Sequence, residues 1–436
     1  HCRQLLWTAI TMPFETRSPI LELPFDVISQ IFVFCLPQVQ DALPWRTEAP
    51  LLLIAICRQW RQLALETHEL WNTIYLELKP HNILSCRPLL EFWLPRAGQM
   101  PLSLSLVYRG SKGHVHAHSN SHPLATLISD YAPHWTSIDL QTPLFLLSNF
   151  EAPQRPLASL RKLTLHSEGF YGISSDVKLC VFANTPQLRD LHLVSGVVEA
   201  SSLGLPAEQI TTLRMEHTTV RHALDMLVAF PNLESMTCII WGEAGTPQSA
   251  PHASSLKSLR LILSHDRGPA LLAQLTAPLL ERLELDVIHR AQLPLVASFV
   301  HRSRCSLRSF SVRLGEYWSY VECMELFGSL DLLEHLEVRK GGSSLDVLFQ
   351  FLLDNPLVLP SLKSLFAERT ITEPVMAKVI ADLLESRREN TTVKLDCFQL
   401  VSPLADGREP DSMLRITRMI EAGMEVSVVA PEQWFI

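Results

Sequence analysis

Apolar residues return along most of the chain in one short frame, L-x-x-L-x-L. Strong copies are "LRKLTL" from Leu160, "LRDLHL" from Leu188, "ITTLRM" from Ile210, "LESMTC" from Leu233 and "LKSLRL" from Leu256. They continue as "LERLEL" from Leu280, "LRSFSV" from Leu307, "LEHLEV" from Leu333 and "LKSLFA" from Leu362. Successive starts lie 28, 22, 23, 23, 24, 27, 26 and 29 residues apart. Weaker copies precede them: "WNTIYL" at Trp71, "LSLSL" at Leu102 and "WTSIDL" at Trp135. Apolar fourth and sixth positions with polar third and fifth ones are the alternation of a strand that buries one face. Between the copies run stretches of helical period, such as "RHALDMLVAF" (221–230) and "SYVECMELFGSL" (319–330). The first of these stops at Pro231, which cannot continue a helix.

Repeats of this length bury a continuous core only by stacking on one another. The array resembles the leucine-rich repeats, and the resemblance implies an α/β fold. That fold is an irregular leucine-rich-repeat solenoid with a curved parallel sheet inside and helices outside. Regular members place Asn or Cys three residues after the sixth position. Here those places hold Glu168, Gly196, Thr218, Trp241, Ser264, Ile288, Gly315, Gly341 and Thr370, so no asparagine ladder forms. Uneven curvature and longer, less regular connections are expected.

Residues 21–76 obey another pattern. In "LPFDVISQIFVFCLP" (23–37), Ile28, Ile31, Phe32 and Cys35 fall on one helix face. Val27, Ile31, Phe34 and Leu36 crowd a neighbouring face, leaving more apolar surface than a small helical unit hides alone. Leu23-Pro24 predicts a helix start and Pro37 its end. The loop "QVQDALPWRTEAP" comes next, and Pro50 opens a second helix expected to run to about Leu65. "THELW" makes a short third segment, and Trp71 joins the first strand.

This segment resembles an F-box. The matching features are Leu23-Pro24, Asp26, the Ile28/Ile31/Phe32 stripe, Cys57-Arg58-x-Trp60-Arg61, Ala64 and Leu70-Trp71. "LLEFWLPRAGQMPLSLSL" resembles the stretch after the F-box in large fungal families of F-box/leucine-rich-repeat proteins. The resemblance implies that the Skp adaptor of an SCF (Skp–cullin–F-box) ubiquitin ligase, and through it a cullin–RING assembly, covers the surplus apolar face. Leu23, Pro24, Ile28, Ile31, Phe32, Cys57, Arg58, Trp60 and Trp71 are then the adaptor-binding residues. The repeats hold a protein substrate. The bland alternative is a helical cap on the open end of the repeat stack, and the two roles are compatible. The expected organisation is an N-terminal tail (1–20), an F-box domain (21–76) and a solenoid (77–436) with a His/Ser loop at 109–123.

Composition narrows the functional classes. Of the 436 residues, 47% are hydrophobic and 19% charged, as in folded domains. Against 45 acidic residues stand 37 basic ones, for a net charge of -8 with no Lys/Arg block, so nucleic acid is not expected as a partner. No run of about 18 apolar residues spans a membrane. The opening "HCRQLLWTAITM" lacks a basic-then-apolar leader pattern, and Met12 is read as a candidate start. Nine scattered cysteines with no CxxC pair suggest buried thiols in a reducing compartment, cytoplasmic and/or nuclear.

No P-loop, GxGxxG, GxSxG or HExxH motif occurs, and no nucleophile and base come together in the sequence. The chain is expected to be no enzyme and to need no cofactor. His114, His116, His118 and His122 alternate in "GHVHAHSNSH". They fit a zinc or copper site by ligand type, or a solvated loop by their Ser/Asn company and the absence of acidic or thiol ligands.

In the repeats, the third, fifth and seventh positions point to the open face of the sheet. Most are polar. The exception is Ile239 beside Ile262, with Trp241 nearby and Arg214 and Arg260 flanking, a candidate substrate-binding patch. The alternative is that the connection "GEAGTPQSAPHASS" covers it. A second functional reading keeps the repeats as an interaction scaffold with a degenerate F-box, acting outside ubiquitylation.

Overall fold

The computed structural model describes residues 19–37, 44–79, 86–109, 130–141, 156–166, 182–194, 204–241, 252–263, 270–288, 292–314, 318–339, 344–368, 377–389, 394–401 and 410–429. The chain divides into two compact units, His1–Leu160 and Arg161–Ile436.

The first unit opens with three helical pieces. Helix α1 spans Phe25–Phe34, with Pro24 (φ -54°) at its N-cap, as the Leu23-Pro24 start predicts. The expected second helix is divided. Helix α2 covers only Leu53–Ile56, Cys57 is extended (φ -154°, ψ 172°), and helix α3 restarts over Arg58–Glu66. The break is capped rather than wasted: the Trp60 N–H donates to Cys57 Sγ at 3.5 Å, satisfying a first-turn donor. Arg61 Nε donates to the Ile54 carbonyl at 2.7 Å and holds the two pieces together. A 3-10 turn, His68–Trp71, completes the segment where "THELW" stands.

Ile28 and Phe32 fill the interior of this segment, with the Phe32 ring 4.9 Å from that of Trp60. Strands β1 (Thr73–Leu78), β2 (Leu102–Tyr108) and β3 (Trp135–Gln141) come next, parallel and in chain order. The three weak copies of the frame are therefore real strands: Ile74 pairs with Leu104 and Leu104 with Ile138. Helix α4 (Cys86–Trp93) lies between β1 and β2.

The second unit is an all-parallel array from β4 to β14, each strand beside its sequence neighbour. The strands are β4 (Lys162–His166), β5 (Asp190–Val194), β6 (Thr212–Thr218), β7 (Ser235–Ile240), β8 (Ser258–Leu263) and β9 (Arg282–Ile288). They continue as β10 (Ser309–Leu314), β11 (His335–Arg339), β12 (Ser364–Glu368), β13 (Cys397–Val401) and β14 (Glu425–Val429). The fourth frame position runs straight across them: Leu163, Leu191, Leu213, Met236, Leu259, Leu283, Phe310, Leu336 and Leu365. First, fourth and sixth positions are buried in all nine strong copies, which is the physical reason the frame recurs. Two further copies escaped the sequence reading. Leu395, Phe398 and Leu400 form one around β13, and in β14 Val426 and Val428 stand in register with Phe398 and Leu400.

Helices α5 (Val220–Ala229), α6 (Ala270–Gln274), α7 (Leu293–Ser303), α8 (Tyr320–Phe327), α9 (Ser344–Asp354), α10 (Ala377–Glu389) and α11 (Pro410–Glu421) stack in sequence order. The two helices read from the sequence are present and capped. Thr219 Oγ1 accepts from the His222 N–H at 3.2 Å, and Ser319 with Glu322 forms a capping box on α8. The ring of Phe349 on α9 sits 6.2 Å from that of Phe398, showing which sheet face the helices cover.

Arginines tie helix to helix. Arg387 on α10 is buried, and its guanidinium donates to the carbonyls of Leu352 (3.1 Å), Val358 (2.5 Å) and their neighbours at the end of α9. Arg302 on α7 does the same to Leu272 and Leu275 at the end of α6. Each places a cation where a helix leaves carbonyls unsatisfied and its dipole is negative. Of the positions where an asparagine ladder is missing, Glu168, Gly196, Ser264, Gly315, Gly341 and Thr370 lie outside the described residues.

Candidate functional site

Two surfaces carry the candidate residues. Along α1 and the residues just before it, the face adjoining Ile28 and Phe32 is bare. Leu23, Val27 (44% exposed) and Phe34 (78% exposed) succeed one another at helical spacing, with half-buried Ile31 between the last two. Phe25 on α1, Trp45, and Leu52 and Ile56 at α2 are exposed as well. A small unit with this much large apolar side chain in water is unusual away from an interface.

The structure sorts the residues read from the sequence. Leu23, Pro24, Cys57 and Arg58 are exposed, and Ile31 and Trp60 are half-buried. Ile28 (2% exposed), Phe32 (0%) and Trp71 (0%) sit inside the unit and are placed there as core, not as a surface. Trp71 lies edge-on to Trp93 at 5.0 Å and bonds to the backbone of α3, so no partner reaches it without unfolding the segment. Phe34 and Val27 take their place on the bare face. Their signal was in the sequence: Val27 and Phe34 belong to the surplus apolar face read there, whereas Ile28 and Phe32 lie on the stripe that packs inward.

The second surface is the open face of β4–β9. Ile239 and Ile262 are direct partners in the β7–β8 ladder, each half-buried. Trp241, 48% exposed, comes directly after β7. A bulge in β6 between Met215 and Thr218 swings His217 into the left-handed region (φ 53°), and its ring meets that of Trp241 at 5.1 Å. Both flanking arginines are exposed but engaged. Arg214 Nη2 lies 2.9 Å from Glu216 Oε1, and Arg260 Nε lies 3.2 Å from Glu284 Oε1. One strand further, Arg313 Nε meets Asp286 Oδ1 at 2.8 Å.

Glu216 also accepts from His192 Nε2 at 3.0 Å. Burial pushes the His192 imidazole below its ordinary value, and the Glu216 carboxylate only partly restores it. Burial would raise the Glu216 carboxyl, but His192 and Arg214 outweigh it and hold the group below the usual carboxylate range. The sequence reading missed this triad because its members come from three positions on two strands. Thr164, in register with His192 on the same face, is buried.

Among the described residues no group of three or more His, Cys, Asp or Glu side chains is placed to hold a metal ion. His114, His116, His118 and His122 lie outside the described residues. The thiols divide: Cys86, Cys238 and Cys323 are buried, whereas Cys35 and Cys57 are exposed. Burial pushes Cys238 up to about 12, and burial with Glu322 beside it does the same for Cys323. Neither is a nucleophile at neutral pH. No described helix is long and apolar enough to cross a membrane.

Neither a family model nor a curated protein matches the chain. Among solved structures, it is similar to a Bacteroides fragilis protein solved by the Northeast Structural Genomics Consortium, at 16% identity and a TM-score of 0.31. The match covers 62% of this chain and 65% of that one, a little under two thirds of that protein's length. Likeness at this level carries no argument about function. The architecture stands on the strand pairing itself: an α/β repeat array that fits a leucine-rich-repeat solenoid.

Proposed function

We propose that the chain is a non-catalytic substrate-recognition subunit of an SCF-type ubiquitin ligase. Its helical segment at 21–76 binds the Skp adaptor, and its repeats present a protein substrate. The observation that carries this reading is the uncovered stripe Leu23, Val27, Ile31 and Phe34, on a helical segment that runs directly into a repeat array. Aromatic and aliphatic anchors on a helix face are what a partner groove accepts. Pro24 sets the entry of α1, and Arg58, exposed at the start of α3, supplies a polar rim.

In this role the protein acts by proximity. It raises the local concentration of substrate near a charged conjugating enzyme brought by the cullin–RING assembly, and transfers nothing itself. The reading is tested in cells with the proteasome blocked, by comparing ubiquitylated proteins co-purifying with the intact chain and with a Val27→Asp/Phe34→Asp variant. Loss of the ubiquitylated species from the variant, with its unmodified binding partners retained, supports the assignment. Equal recovery from both chains favours the scaffold reading, in which the repeats bind partners outside ubiquitylation.

A further inference from the structure

Ile239 and Ile262 leave an apolar gap, or notch, in the row of charges on the open face, and the charges beside it are already paired. Arg214 is held by Glu216 on its own strand, and Arg260 is held by Glu284 on the next. An incoming carboxylate or phosphate would have to displace one of these intrachain carboxylates and then sit beside it. The resulting desolvation and repulsion remove most of the gain an arginine offers an anion. A neutral apolar side chain meets no such competitor. It finds two β-branched side chains about 4.8 Å apart across the ladder. The half-exposed indole of Trp241, propped by the His217 ring, stands at the strand end.

We infer that this notch is a specificity site for an uncharged, unmodified segment of a partner protein, anchored by one aliphatic or aromatic side chain. This deepens the proposed function, resting on its assignment of substrate binding to the repeats, and gives the substrate class: an apolar peptide motif rather than an acidic or phosphorylated one. The ion pairs act as a fence. They keep the notch electrically neutral and make a charged residue at the anchor position unfavourable, which is selection against wrong partners as much as attraction of the right one.

Two fluorescein-labelled octapeptide pools in a Ser/Asn/Gly background serve as probes, one with Leu or Phe fixed at a central position, the other with phosphoserine there. Fluorescence anisotropy with the full chain is expected to show binding of the apolar pool only. Ile262→Asp should weaken that binding about tenfold or more, as loss of a central anchor does. Arg260→Gln should leave it within about twofold, as for a rim charge. Should Ile262→Asp fail to fold by circular dichroism, Ile262→Thr keeps the β-branched shape and is expected to weaken binding measurably. Binding of the phosphoserine pool that Arg260→Gln removes would overturn the inference. So would absence of apolar-pool binding, or binding indifferent to Ile262. Adaptor co-elution, measured on the same preparations, reports separately on the helical segment. Its loss with apolar-pool binding intact would remove the ligase assignment and leave the notch standing.

Discussion

The indole Nε1 of Trp71 donates a 2.8 Å hydrogen bond to the carbonyl of Ala64, joining the end of α3 to the entry of the first strand. Trp71 is fully buried, and Ser29 Oγ lies 3.0 Å from Thr67 Oγ1 in the same segment. The joint makes Trp71 a folding residue. Trp71→Ala is expected to destabilise the first unit by about 3–5 kcal/mol, as large aromatic truncations in cores do. Val27→Ser and Phe34→Ser should change stability by less than about 0.5 kcal/mol. Urea denaturation monitored by tryptophan fluorescence separates the two classes. Equal destabilisation by all three would mean that the α1 stripe is covered within the chain.

The arginine ties give a second expectation. Arg387→Leu removes the donor from the carbonyls at the end of α9 and leaves the buried Leu352 carbonyl without it, at a cost of about 1–3 kcal/mol. Arg387→Lys should recover little, because a single ammonium cannot span carbonyls arranged around a planar fork. Chemical denaturation of the two variants and the parent measures both. A Lys variant as stable as the parent would show that charge alone, without the fork, satisfies α9.

Thiol reactivity offers a third. Cys35 and Cys57 are exposed, while burial holds Cys238 and Cys323 near 12. Brief iodoacetamide treatment of the native protein at pH 8, read by peptide mass spectrometry, should label Cys35 and Cys57 and spare Cys238 and Cys323. Labelling of Cys238 at a rate matching Cys35 would place β7 away from the interior.

A fourth concerns acid. The depressed His192 stays neutral in the folded chain while the unfolded chain takes up a proton below the ordinary imidazole value of 6.5. Stability therefore falls as pH drops through the window between 6.5 and the lower folded value. Glu216, also depressed, contributes stability that is complete above the ordinary value of 4.5 and is lost as pH falls through its folded value. The urea midpoint of the parent should drop more between pH 7 and 5.5 than that of His192→Gln. Parallel drops would contradict the assignment.

Much of the fold was legible because position-by-position burial leaves a mark on composition. Leu283 faces the core while Arg282 and Glu284 face water, and that alternation repeats from strand to strand. The helix break at Cys57 was not legible, since "LIAICRQWRQLAL" has unbroken helical chemistry and only tertiary packing turns Cys57 extended. Which α1 stripe faces inward was not legible for a related reason. Two apolar stripes on one ten-residue helix are equivalent in periodicity, and only the position of Trp60 and Thr67 against Phe32 and Ser29 decides which is inside. Charge pairing on the open face was hidden too, because Arg260 and Glu284 are 24 residues apart and meet only through strand register.

The central claim, that the bare face of α1 is the seat of a Skp adaptor, is tested most directly by the mass of the assembly in solution. The purified chain is mixed with purified Skp adaptor and passed through size-exclusion chromatography with light-scattering detection, beside its Val27→Asp/Phe34→Asp variant. A one-to-one complex is expected for the parent, and two separate species for a variant whose circular dichroism is unchanged. Separate elution of the parent chain and the adaptor, or a stoichiometric complex with the folded variant, would contradict the claim.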